Sequence, residues 1–291
     1  MKFRLGFAPI TWNNEDLRGE LAPTVPYESV LDEIASCGYS ATELGDGFPR
    51  DPVVLRSALH ACGLELTSGW CGLPLLAASA EDDLTHVATI CELLRDVGAT
   101  FVNLADQGTP ERKACAGRAA EGPQLSTREW DLLADRVRRA ANTARIFGLQ
   151  PLFHAHAGTW VETRSDLEEV LLRIPGQELK LVWDVGHALY GGMDPIEVIR
   201  SHPQRIAYVH LKDVDGDALE ALRRERLGFE EGIRRRVFTE LGRGVLDIPG
   251  LLAVLGEIDY AGWLMVEQDS TWLAPGESAR ASREYLRTLG I

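Results

Sequence analysis

No run of apolar residues in this 291-residue chain approaches the ~20 that a membrane-spanning helix needs, so no membrane partner is expected. The opening MKFRLGFAPITW lacks the long apolar core and small-residue cleavage site of a secretory signal, so none is expected there. Cysteine is sparse and unpatterned: five residues, an odd number, with no Cys-x-x-Cys spacing. That pattern offers neither a disulfide framework nor a thiolate zinc cage, and it fits a reducing cytoplasm. Cys37 and Cys62, each before a glycine at an apparent helix end, read as plain free thiols. Positive charge is also short, with 30 Lys and Arg against 44 Asp and Glu for a net −14. Broad nucleic-acid binding needs the opposite surplus, so no nucleic-acid partner is expected and a small-molecule enzyme suits the balance better. Finally, no Gly-x-Gly-x-x-Gly follows the first strand, which weakens a dinucleotide-binding fold.

What is present is one theme repeated. Short β-rich runs occur at 4–10, 41–46, 64–70, 100–106, 149–156, 179–186, 205–213 and 262–269. Stretches with apolar residues at helical spacing separate them, as in YESVLDEIASCG and WDLLADRVRRAANTARIFG. Gly38, Gly63, Gly98 and Gly148 stand where helix C-caps belong. Eight strands alternating with helices predict an α/β fold: a single (β/α)8 TIM barrel over residues 1–291, with no linker dividing it. Two connections are long. Residues 106–125 look mobile, and 214–245 carries Arg234, Arg235 and Arg236, read as a solvated helix face offset by Glu230 and Glu231. Both follow strands, so a lid over a small substrate is one expectation; decoration or a homo-oligomer contact is nearly as good a reading.

In such a barrel the polar residues at the C-terminal ends of the strands converge on one mouth. They are Glu43, Asn103, His154, His156, Asp184, His210 and Glu267. His154 and His156, two apart, would share a face if both lie in the fifth strand. A carboxylate ending an apolar run is costly to bury unless paired or bound to a cation. Asp184, His210 and Glu267 therefore read together as ligands of a divalent metal, and the oxygen and nitrogen mix suits Mn²⁺, Co²⁺, Mg²⁺ or Zn²⁺. Taken singly, Asp184 could instead cap the next helix, and His210 could be a satisfied core histidine.

The set Asp184 in DVGH, His210 in VHLKD, Glu267 in VEQD, and GRGVLD between the last two resembles the xylose-isomerase-like superfamily of sugar isomerases and epimerases. Within it, GFAPITWNNEDL, ATELGDGFP, HAHAGTWVET and WDVGHALYGG resemble the inosose dehydratase branch of inositol catabolism, over nearly the whole chain. The resemblance implies a divalent metal held by Glu, Asp, His and Glu from strands five to eight. This chain departs from it at strand five, where His154 stands in place of the first Glu. By the same resemblance, Trp12, Glu43, His156, His187 and Arg243 line the substrate side, and Lys212 lies near the chemistry. Glu162 is the candidate for the missing acid: with His154 out of the charge count, it could complete the ligand set if its loop folds back. The other reading of Glu162 is a first-turn acid favoured by the helix dipole. Glu267, His154, Glu162 and Lys212 are the expected catalytic groups, with His154 read as either a metal ligand or a proton-transfer group.

The implied chemistry removes a proton next to a ketone through an enediolate. From there, isomerisation, epimerisation and loss of water differ only in where one acid sits. A dehydratase acting on an inosose, or a similar polyol ketone, is the leading expectation; a ketose isomerase or epimerase is the alternative. Repair at abasic DNA sites fits the −14 charge poorly, and a non-catalytic binding barrel would hold no metal.

Overall fold

The computed structural model describes residues 3–18, 20, 23–76 and 80–291. Eight parallel strands close into a barrel in sequence order: β1 Arg4–Phe7, β2 Ala41–Leu44, β3 Glu65–Leu73, β4 Phe101–Asp106, β5 Gln150–His154, β6 Lys180–Asp184, β7 Ile206–Leu211 and β8 Trp263–Val266. Closure runs from β1 to β8, with Arg4 opposite Trp263 and Phe7 opposite Val266. Every strand lies inside a run expected from sequence, except that β3 extends three residues further, and the barrel itself is as expected.

The glycine signals have a conformational cause. Gly38, Gly63, Gly98 and Gly148 take φ values of 87°, 67°, 102° and 78° at helix ends, where a side chain would strain the backbone. Two apolar layers then hold the barrel. Inside it lie Ala41, Phe101, Leu152, Val182, Tyr208, Trp263 and Met265; a larger layer fills the space between strands and outer helices. Among the described residues, no helix is long and apolar enough to cross a membrane.

A third apolar cluster sits over the C-terminal mouth. It joins Leu17, Ala116, Ala157, Tyr190, Leu222, Phe229, Ile233 and Phe238. Both long connections feed it, and both carry short helices. The first holds the helix Pro110–Ala114 and a 3-10 turn at Ala119–Glu121, with Arg112 only 1% exposed. The second holds the helices Gly216–Glu225 and Phe229–Arg234, bracketed by a two-strand ribbon of Asp213–Val214 against Phe238–Thr239. Arg234 and Arg235 pair on the surface with Glu20, Glu225, Glu230 and Glu231, as a solvated helix face should.

Candidate metal centre at the barrel mouth

Asp184 ends β6, and its two oxygens do different work. Oδ1 caps the helix Val185–Tyr190 by accepting the His187 N–H at 2.8 Å. Oδ2 is buried and has no hydrogen-bond partner. Around it stand His154 Nε2, His210 Nδ1 and Lys212 Nζ, each at 3.5 Å. The capping and metal-binding readings of this residue are therefore compatible, one oxygen for each. Asp184 and His210 face each other across β6 and β7 in the register, so adjacent strand ends create the pair.

His210 is reached from two sides. Its Nε2 lies 3.0 Å from Glu43 Oε1, an oxygen that also accepts from Ser68 Oγ at 2.6 Å and Asn103 Nδ2 at 3.2 Å. Its Nδ1 is 3.0 Å from Glu267 Oε2, yet without hydrogen-bond geometry. Burial would drive the His210 proton off, but Glu267 and Glu43 hold its affinity well above the usual imidazole range. Burial would likewise raise Glu43; the charge of His210 brings it down to about 2. Asp184 is also pulled below the ordinary carboxylate range, against its burial, by Lys212.

Three donor groups result, each with ligand atoms within 4.8 Å of one another: His154, Asp184 and His210; Glu43, His210 and Glu267; Asp184, His187 and Glu267. Four carboxyl groups, from Glu43, Asp184, Glu267 and Asp269, face one ammonium and one imidazolium. Buried ligand atoms left without hydrogen-bond partners, Asp184 Oδ2 and His210 Nδ1 among them, under an excess of acid, fit a divalent cation. Oxygen and imidazole donors with no thiolate fit Mn²⁺, Co²⁺, Mg²⁺ or Zn²⁺.

Lys212 is wholly buried among these acids, with Glu267 Oε1 at 2.6 Å, Asp269 Oδ1 at 2.8 Å and His187 Nε2 at 3.1 Å. Asp269 was not singled out in the sequence, although it sits two positions after Glu267. Burial beside Glu267 raises it to about 7, even with Lys212 in contact. Removing the ammonium would strand these carboxyls. A Lys212→Met variant is expected to lose about 3–5 kcal/mol of stability, measured by urea unfolding in chelator. A loss under 1 kcal/mol would mean the acids do not depend on it.

A cavity of about 1110 Å³ opens beside the centre, lined by Glu43, Trp70, His156, His210, Phe229 and Glu267 among others. Trp70 and Phe229 also went unnoticed in the sequence; apolar spacing alone does not separate a cavity wall from core. His156 stands two residues beyond the end of β5, so the two histidines do not share a strand as expected. Their rings are nonetheless neighbours, 5.4 Å apart. His156 Nδ1 lies 2.8 Å from the Ala157 carbonyl, which can only accept, so Nδ1 carries the hydrogen. Nε2 then keeps its lone pair. Burial, with His154 and Lys212 nearby, holds the ring well below the usual imidazole range and hence neutral. His187 stacks on His156 at 3.7 Å between ring centres and does not line the cavity.

Three expected residues are elsewhere. Glu162 has both carboxylate oxygens engaged away from the donor groups: Oε1 accepts the Gly117 N–H at 2.5 Å and Oε2 the Gly158 N–H at 2.8 Å. Among the described residues it joins no donor group, whereas Glu43 does. Trp12 lines a separate recess of about 250 Å³, its indole N–H given to Glu33 at 2.8 Å. Arg243 is exposed and lies beside Glu240 at 3.3 Å. The GRGVLD segment that carries it serves Asp213, which accepts the N–H groups of Gly242, Gly244 and Leu246.

Residues 31–289 match the family model described as xylose isomerase-like TIM barrel. The chain is 37% identical, over 99% of its length and 94% of the relative's, to an inosose dehydratase of Geobacillus kaustophilus. It is 34% identical to the rhizopine catabolism protein MocC of Rhizobium meliloti, covering 98% of this chain and 88% of that one. Among solved structures, the IOLI protein with a bound zinc atom superposes with a TM-score of 0.73 at 16% identity, covering 99% and 98% of the two chains. That last likeness concerns the fold.

Proposed function

We propose, because this chain belongs to the xylose isomerase-like TIM-barrel family, that it is a dehydratase removing water from an inosose or a similar cyclic polyhydroxy ketone. The observation that carries the reading is the convergence of Asp184, His210 and Glu267 beside a large cavity, in a chain so close to an inosose dehydratase over its full length. His154, Asp184, His210 and Glu267 would hold the divalent cation. When bound, that cation polarises a ketone and makes the neighbouring C–H more acidic.

The protein's own groups do the rest. His156 presents Nε2 to the cavity as a neutral base and accepts the proton from the carbon beside the ketone. The C–H electron pair becomes the new double bond, and the β-hydroxyl leaves with a proton returned from His156, so water is the only product lost. Trp70 and Phe229 flank His156 at 5.5 and 5.0 Å between ring centres. They offer apolar faces to ring C–H groups, and Phe229 belongs to the apolar roof that screens the site from water. Lys212 keeps Glu267 and Asp269 in place.

The test is incubation with Mn²⁺ or Co²⁺ and a panel of inososes and ketoses, followed by NMR in D₂O. Loss of a hydroxyl, abolished by chelation and restored by the cation, is the expected result. Deuterium uptake without loss of water would overturn it in favour of isomerisation or epimerisation.

A further inference from the structure

Glu162 is buried, charged and unused by the chemistry above. Its side chain joins two connections. Gly117 belongs to the segment after β4 and Gly158 to the segment after β5, and one carboxylate accepts both of their N–H groups. Arg112 backs it. That guanidinium lies 3.9 Å from Glu162 and 3.8 Å from Asp166, and it donates to the carbonyls of Thr159, Ala119 and Pro123 at 2.8, 3.2 and 3.3 Å. Asp106 adds a second tie between the same segments, accepting from Gly108 and Trp160, each at 2.9 Å. The backbones touch as well: a Cβ on Gly108 would lie 2.4 Å from the Gly158 carbonyl oxygen, and φ there is +65°.

The clamped turn carries His156. The His156 N–H donates to Val161 O at 3.0 Å, its carbonyl accepts from Thr159 Oγ1 at 2.8 Å, and its ring rests on Ala157 O. Ala157 in turn directs its N–H to His187 Nδ1 at 3.3 Å. The hydrogen bonds that hold His156 are thus made inside the 156–161 turn, while His187, Trp70 and Phe229 pack against its ring.

We propose that Glu162 is a positioning residue whose carboxylate, backed by Arg112, clamps the connection after β4 to the connection after β5 and so sets where His156 stands in the cavity. The clamp stands on its own; its effect on turnover rests on the proton-transfer role given to His156 above.

The test is Glu162→Gln in the full chain, with Glu162→Asp as a second variant should the first fold poorly. An amide in place of the carboxylate keeps one acceptor and loses the other. Amide exchange by mass spectrometry is expected to speed up about tenfold in peptides spanning 106–125 and 155–163, and to stay unchanged in the barrel strands. Bound Mn²⁺ stays at the wild-type level, kcat falls about 10-fold or more, and KM moves by less than about 3-fold. Loss of Mn²⁺ with unaltered exchange would overturn the clamp and restore the ligand reading. Faster exchange with unaltered kcat would overturn the positioning role. A wild-type protein inactive on every inosose would sink the dehydratase reading, while the exchange data would still decide the clamp.

Discussion

Asp184→Asn is expected to reduce turnover below about one-thousandth of wild type and to empty the protein of divalent cation after gel filtration. The size follows from how the residue is divided. Oδ1, which caps the following helix, is kept in asparagine, so the fold should survive. Oδ2, the buried oxygen without a hydrogen-bond partner, becomes an NH₂ group pointed at His154, His210 and Lys212. A donor then stands among donors, and the site loses its most central negative charge. Loss of groups merely supporting metal ligands typically costs 10–100-fold, and a ligand in their midst should cost more. Cation content by elemental analysis, with the melting temperature as a control, decides it. Wild-type cation content and turnover in a well-folded variant would refute the metal centre itself.

His156→Asn should lower kcat by about 10²–10⁴-fold, the usual contribution of a positioned proton-transfer group, and leave bound cation unchanged. Asparagine can still donate to the Ala157 carbonyl as Nδ1 does now. What disappears is Nε2, the nitrogen free to face the cavity. Exchange of the substrate's α-proton in D₂O should fall in parallel with water loss. If exchange continues while water loss stops, His156 does not remove the proton and the single-base scheme fails. If neither changes, proton transfer belongs to another group.

Asp184 and His210 could be recognised from sequence because each ends an apolar run, and strand ends in a closed barrel have one place to converge. Glu267 follows the same logic at the end of β8. Glu43 was visible as a strand-end acid, but its contact with His210 joins residues 167 positions apart and depends on the two strands facing across the barrel. Trp12 and Arg243 were misplaced because each lies in a connection, where direction is set by local hydrogen bonds. The Glu33 carboxylate turns the Trp12 indole away, and the Asp213 turn leaves Arg243 in solvent. Asp269 lies past the end of β8, where strand alternation no longer fixes direction, so its place beside Lys212 does not follow from its spacing to Glu267.

Sequence alone determined the eight strands, the closed barrel and the strand-end trio Asp184, His210 and Glu267, because periodicity and burial cost act locally along the chain. Only the tertiary structure decided which acids share that space. Glu162 is a buried acid six residues from His156, as a ligand would need to be, yet its two oxygens are spent on the amides of Gly117 and Gly158. Glu43 comes in from β2 instead, because closing the barrel brings the end of β2 within reach of His210 on β7, while Glu162 after β5 is held by backbone amides.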